Sequence, residues 1–455
     1  MEERELSGTH EADTVATPPV GATRSVSAGS DRTRLPSVKS TGLVNAVAFA
    51  VGAATAILLA RVMGATERGE LVVGSIGPIL LGVLCTLGIE ESIVYLNART
   101  TTDPERRAVA WSGLVVAVVA GAVGSLVAIA VQLWYVGHRA GVSNRTALLV
   151  YATLPVLVAI IQALLGNLRG QGRYTSWNLV RLTTPVVYLG LVVLLITSDR
   201  LDVASALMVH WVANLLLAIC LVAWLCTSGR PNPSWTMSKR LVKLGLGNHV
   251  ITIQRLGNER LDQFVMARAI SPRDLGSYAV AATYAACGLQ IALAVGFQLY
   301  SHVSRVGSIS HSQFVALCRR SFLLMTAIGV VGAGAAWLVI PTLIGREFDA
   351  GIVPAAILLA GGPPLTVGTL YASAWKSSGE PLRAARAEAV GLVVTVVLLF
   401  FLIRAWGIVG AAVTSVIAYS VVAALLVLGP PPTAIGVEPP GASDDRGVAD
   451  GSALL

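Results

Sequence analysis

Apolar residues run in stretches of about twenty along most of the chain, the length at which a helix crosses a bilayer core. Short polar connections separate them. Twelve such stretches can be marked: 41–63, 70–97, 109–136, 146–168, 176–198, 203–227, 244–267, 276–303, 318–342, 353–375, 385–404 and 407–429. A β-barrel would show segments of about ten residues with alternating polarity. The pattern therefore predicts an all-α polytopic membrane protein. The flanks differ: residues 1–40 and 431–455 are polar and rich in Pro, Ser or Gly. They are read as disordered cytoplasmic tails, because such a composition buries too little apolar surface to order a chain. Residues 1–40 lack the apolar core of a signal peptide.

Composition agrees with the pattern: 55% of the 455 residues are hydrophobic and only 13% are charged. The formal charge is +8, and the two tails are net −1 and −3, so the membrane part carries +12. With residue 1 placed inside, Lys and Arg near the span ends favour the inner side two to one, which puts both termini in the cytoplasm. Arg68 falls in the outer set. Every connection is short, too short for a catalytic domain. The five cysteines lie in or beside apolar runs without a CxxC pair or a Cys/His spacing. They are read as small buried hydrophobes, not as a disulfide framework or metal site.

"ARVMGATERGELVV", from Ala60, aligns with "ARAISPRDLGSYAV", from Ala267, which lies 207 positions later. Gly69 and Gly276 fall in register, as do Gly172 and Gly379. The offset superimposes the first six spans on the last six, giving two parallel six-helix bundles, 41–235 and 236–430. Repeats of this kind place a site between them.

The seventh span, "HVITIQRLGNERLDQFVMARAI", is unusually polar. At about 100° per residue, Asn248, Arg255, Asn258, Glu259 and Asp262 share a stripe about 100° wide. Each charge facing lipid at mid-bilayer would cost about 2.5–3.5 kcal/mol, so the stripe is expected to face the bundle interior or a water-filled cavity. Arg255 suits an anionic group, since guanidinium grips phosphate with two parallel hydrogen bonds. Asn258 and Asn248 are candidate binding residues beside it. Glu259, one turn away, can hold Arg255 in an empty site, and Asp262 joins the same set. A structural ion-pair network is the competing reading, and Arg260 points off the stripe.

Arg181, in the fifth span, is a second candidate for substrate contact, against snorkelling at the inner interface. It aligns at the repeat offset with Glu388, and attraction between the two would close an inner gate. Glu91 or its neighbour Glu90 is a candidate coupling carboxyl, with a raised pKa in low dielectric. The competing reading pairs them with Arg99 or Arg169. His210, His249 and His302 are isolated histidines in spans, where a packing role competes with proton relay. No two of them stand at metal spacing.

The turn after the first span of each half, "LLARVMGATERGELVVGSIGPIL" and "MARAISPRDLGSYAVAATYA", resembles the polysaccharide flippases, relatives of the multidrug and toxic compound extrusion (MATE) antiporters. "WGIVGAAVTSVIAYS" is similar to a late motif of the same family. There are departures: Arg68 stands where an aromatic is common before Gly69, and Ser271 where Gly is common. The resemblance implies two six-helix bundles around a central cavity. It implies alternating-access transport of a polyprenyl-pyrophosphate-linked oligosaccharide from inner to outer leaflet of a bacterial plasma membrane, for cell-surface polysaccharide biosynthesis. It further implies coupling to H+, Na+ or the membrane potential, no resident cofactor, and a polysaccharide polymerase and glycosyltransferases as neighbours. The chain carries no phosphate-binding G-x-x-x-x-G-K-[ST] loop. No enzymatic activity and no nucleic-acid partner are expected. A MATE-type efflux antiporter is the competing transport reading and would want an acidic cavity. A membrane-embedded glycan polymerase or ligase is the competing reading of another class.

Overall fold

Large apolar side chains are exposed along several helices, where a water-soluble protein would carry polar ones. In the computed structural model, residues 38–100, 102–136, 145–306, 309–378, 380–429, 431–432 and 435–436 are described. The side chains of 38–41, 135–136, 247–248, 250–260, 291–298, 300–306, 381 and 436 lie outside that description. The helices are α1 (Val38–Leu84), α2 (Ile89–Arg99), α3 (Asp103–Val136), α4 (Arg145–Tyr151), α5 (Leu154–Gly170), α6 (Tyr174–Thr197), α7 (Val203–Thr227), α8 (Trp235–Ala269), α9 (Pro272–Val306), α10 (His311–Val339), α11 (Ile352–Ala360), α12 (Gly362–Ser377) and α13 (Pro381–Val427). A π-turn (Ile340–Ile344) and a 3-10 turn (Arg346–Gly351) join α10 to α11.

On α3, Val115, Val119, Val123 and Leu126 are exposed. They recur every three or four residues and so share one helix face. Val393, Val397, Phe400 and Phe401 do the same on α13, and Leu323, Val330, Val331 and Leu338 are exposed on α10. Apolar faces of this extent need a non-aqueous partner, and a bilayer supplies it. Eight helical stretches among the described residues are long and apolar enough to cross a membrane. Four of these, including two of 58 and 46 residues, run past internal breaks. The expected number was twelve.

The breaks follow residue chemistry. Gly64 interrupts α1 at φ 78°, and Gly407 interrupts α13 at φ 56° with ψ −130°. Positive φ is open to glycine at little cost. The fourth and tenth apolar runs are each split: α4 gives way to α5 at Thr153, with Pro155 at the new N-terminus, and α11 to α12 at Gly361, with Pro363. Proline lacks the N–H that a first turn leaves unpaired, so it favours that position. A side chain satisfies freed backbone groups at the α4–α5 break: Ser125 Oγ donates to the Thr153 carbonyl at 3.2 Å and accepts from Val156 N at 3.3 Å, while Trp211 Nε1 donates to Thr153 Oγ1 at 2.9 Å. Such substitution is what a low-dielectric surround demands.

The second run breaks as well, between α1 and α2, where Leu87 (φ 48°) and Gly88 (φ 65°) are both left-handed. The left-handed region costs a leucine roughly 1–2 kcal/mol. His249 Nε2, from α8, lies 2.7 Å from the Leu84 carbonyl that the break exposes. Helix ends recur at the 207-residue interval to within a residue or two. The Gly64 break corresponds to the α8–α9 turn, the α5–α6 turn to the α12–α13 turn, and the α6–α7 turn to Gly407. At the position corresponding to Leu87–Gly88, however, α9 runs on unbroken.

Within the segment read as a C-terminal tail, residues 431–432 and 435–436 are described. Ile309–Ser310 pairs in parallel with Ile435–Gly436. Ile435 is 5% exposed and packs with Leu299, Phe314, Leu317 and Leu370. An isolated isoleucine in a polar tail gives no periodic signal, yet it fills an apolar gap between helix ends.

Candidate functional site

A cavity of about 310 Å³ lies inside the bundle. One wall is the second part of α1, where Arg68, Leu71, Val72, Ser75, Ile76 and Ile79 recur at helical spacing, with Gly52, Thr55, Ala56 and Leu59 from the first part. α6 contributes Thr184, Pro185 and Tyr188, α4 contributes Tyr151, and α7 contributes His210. Gln263 of α8 and Thr283 of α9 complete it. Residues from both sequence repeats therefore share one space. Among the described lining residues, Arg68 is the one Lys, Arg, Asp or Glu.

The aromatic corner of the cavity is a connected unit. Tyr151 Oη and His210 Nδ1 share a hydrogen bond of 2.7 Å, and the Tyr188 ring stands edge-on to His210 at 4.8 Å between centroids. Asn214 Nδ2 donates to the His210 carbonyl at 2.9 Å. The histidine is thus held in place by two helices and a neighbour one turn away, and the cavity receives oriented hydroxyl and imidazole groups. Pro185 interrupts the hydrogen-bond ladder of α6 at this level.

Several of the residues singled out by sequence lie elsewhere. The side chains of Arg255, Asn258, Asn248 and Glu259 lie outside the described residues, as do those of Arg260 and His302. Asp262 is 8% exposed. It accepts from the Tyr278 hydroxyl, and its Oδ1 accepts from the Gln263 backbone N–H at 2.6 Å. It faces the apolar cluster around Tyr278, Leu399 and Ala411, and it does not line the cavity. A buried carboxyl held by two donors is a satisfied group.

Glu91 and Glu90 both meet Arg169, at 2.6 and 3.1 Å. Arg181 is half-buried over the Trp177 ring, 4.5 Å from its centroid, near that same cluster. Its described contacts are there and not to Glu388, which is half-buried on α13. His249 serves the break between α1 and α2. Among the described residues no group of three or more His, Cys, Asp or Glu converges as a metal site would require.

Arg68, Tyr188 and Gln263 were not sequence candidates. Arg68 was read as an orientation charge, since it stands four residues past a helix break. Its one signal was its place in an aromatic's position before Gly69. Tyr188 and Gln263 gave none, because a single polar residue in an apolar run does not reveal which neighbour it faces.

The family model for polysaccharide biosynthesis protein matches residues 58–353. No curated protein matches the chain. Among solved structures, the chain is similar to an inward-facing multidrug resistance MATE family transporter of the MOP superfamily. The TM-score is 0.68 at 14% identity, over 84% of this chain and 93% of that one. It is similar also to the lipid II flippase MurJ in an inward closed conformation, with TM-score 0.67 and 12% identity over 86% and 87%. A MOP superfamily transporter from Pyrococcus furiosus aligns at 0.51 and 15% over 85% and 91%. Identities this low establish the MATE- and MurJ-like fold. The family model spans well over half of the chain, and on that ground the chain is a multi-pass membrane protein that belongs to the polysaccharide biosynthesis protein family.

Proposed function

We propose that this protein is a flippase that carries a polyprenyl-pyrophosphate-linked oligosaccharide across the membrane by alternating access. The observation that carries the reading is the cavity, whose described lining residues set one arginine among hydroxyl, imidazole and amide groups. Such a lining suits an anionic headgroup with sugar hydroxyls. Arg68 supplies two parallel N–H donors to a phosphate, and Tyr188, Ser75, Thr283 and Gln263 supply neutral partners for sugars. The polyprenyl chain stays in the lipid that the exposed apolar faces already contact. An ion gradient or the membrane potential drives the cycle. A polymerase and glycosyltransferases act on either side of the step.

The same lining argues against a MATE-type antiporter for organic cations, which would want negative charge where Arg68 stands. The test is mass spectrometry of lipid-linked glycans in cells depleted of the protein. One completed pyrophosphate-linked oligosaccharide should accumulate, and Arg68→Ala should fail to clear it although it reaches the membrane at normal abundance. Absence of accumulation, together with new sensitivity to cationic drugs, would instead establish efflux.

A further inference from the structure

We propose that Gln132 of α3 is a positioning residue, which holds the second part of α1 in the bend that turns it onto the cavity. Pro78 lies inside that helix segment. A proline has no N–H for the carbonyl four residues earlier, and its ring pushes that carbonyl aside. The carbonyl here belongs to Gly74, and Gln132 Nε2 donates to it at 2.8 Å. Gln132 is 3% exposed, so the bond is made out of reach of water. A side chain of one helix thus stands in for a backbone donor of another, as a low-dielectric interior demands. Prolines are where long helices turn, and the displaced carbonyl is the point at which a neighbour can grip the turn.

The second repeat has neither partner. At the 207-residue interval, Ala285 of α9 stands for Pro78 and Val339 of α10 for Gln132. Where the helix keeps its own N–H, the neighbouring helix carries no amide. The two helices also differ in what they present to the cavity. Arg68, Leu71, Val72, Ser75, Ile76 and Ile79 line it from α1. Of their counterparts in α9, only Ala279 and Thr283 are among the described lining residues. Leu275 and Tyr278, which correspond to Arg68 and Leu71, pack in the apolar cluster with Leu399 and Ala411. The repeat with the proline and the amide is the one that brings its charge to the cavity.

Apolar packing holds the same segment but does not aim it. Leu71 packs in one cluster, and Val72, Ile76 and Leu80 in another. Apolar burial is non-directional. The hydrogen bond is directional: it sets where the Gly74 carbonyl points, and with it the rotation of Ser75, the next residue. Arg68 and Ser75 precede Pro78, and Ile79 follows it. Gln132 is not among the described lining residues, so it acts on the arginine and its neutral neighbours only through the helix that carries them.

This inference rests on the transport reading, and the experiment keeps the two apart. Thermal unfolding in detergent and clearance of the accumulated glycan are measured with the native cysteines in place. N-ethylmaleimide labelling of Ser75→Cys is measured in a chain whose native cysteines are replaced. Gln132→Leu leaves the Gly74 carbonyl without its donor, so it should lower the unfolding midpoint and slow clearance about tenfold. It should also slow labelling several-fold, since Ala282, the counterpart of Ser75 in α9, is not among the described lining residues. Adding Pro78→Ala returns an N–H to the Gly74 carbonyl and lets the helix run as α9 does. That double variant should regain the midpoint but neither the labelling nor the clearance. A residue that only stabilised the helix would give back all three. That result overturns the proposal, as does unchanged labelling in Gln132→Leu. If Gln132→Leu fails to accumulate, the double variant decides alone: a normal midpoint with slow labelling supports the positioning role, and normal labelling overturns it. If labelling responds as stated while depleted cells accumulate no lipid-linked glycan, the positioning role stands and the flippase reading falls. If glycan accumulates and labelling does not respond, the flippase reading stands alone.

Discussion

Single residues divide into those whose role follows from type and those whose role follows from neighbours. Arg68 is of the second kind. Its charge alone reads as orientation, and only the folding of α1, α6, α7 and α9 around it makes it the charge of a cavity. Hydrogen bonds to a charged group contribute about 1.5–3 kcal/mol, so Arg68→Ala should slow clearance of the accumulated glycan about ten- to a hundredfold. Arg68→Lys, a point charge without the paired donors, should fall between, as read by the same mass spectrometry. Arg169 is structural. Its replacement by Ala leaves Glu90 and Glu91 adjacent with like charges and should cost about 1–2 kcal/mol, below a fully buried pair because a quarter of its side chain is exposed. The loss should appear as a lower midpoint in thermal unfolding in detergent, and adding Glu90→Gln should recover part of it. A carboxylate pair read as a coupling site from sequence is thus held by a cation seventy-odd residues away, a partner that no local pattern exposes.

At the scale of elements, the sequence was most informative at helix ends. Asp202 precedes α7, and its carboxylate accepts from Ser205 N at 2.7 Å while Ser205 Oγ accepts from Asp202 N at 2.9 Å. Such a cap satisfies donors that the first turn leaves open. Asp202→Ala should cost about 1 kcal/mol in thermal unfolding. Gly407 holds α13 at φ 56° and ψ −130°, with nothing near enough to obstruct a side chain. The penalty for replacing it is therefore backbone strain alone, of order 1–3 kcal/mol. Gly407→Ala should lower the unfolding midpoint accordingly. Pro155 and Pro363 suggest kinks where the breaks at Thr153 and Gly361 fall, whereas the break at Leu87–Gly88 was not anticipated. A continuous apolar run carries no sign of where its backbone bonds are exchanged for side-chain ones, since the donors at Ser125, Trp211 and His249 come from distant helices.

The whole molecule is arranged by its solvent. Outward valines and leucines on α3, α10 and α13 face lipid, and the polar atoms turn toward the interior or toward each other. The strand at Ile435 ties the chain after α13 to the start of α10. Ile435→Ala should cost about 2 kcal/mol, near the lower bound for emptying an apolar site, because the cluster lies at the edge of the bundle. The check is thermal unfolding compared with a chain ended after Gly429, which should lose at least as much. The sequence by itself determined the membrane class, the positions of most helices and the 207-residue repeat. These rest on apolar run length and on glycine and proline chemistry, which act within a few residues. The tertiary structure alone decided that Arg68, Tyr188, His210 and Gln263 share a cavity, that Asp262 is satisfied by Tyr278, and that Gln132 of α3 meets the Gly74 carbonyl. Those outcomes depend on how helices far apart in sequence rotate and approach one another, and helix rotation is fixed by packing, which no single segment encodes.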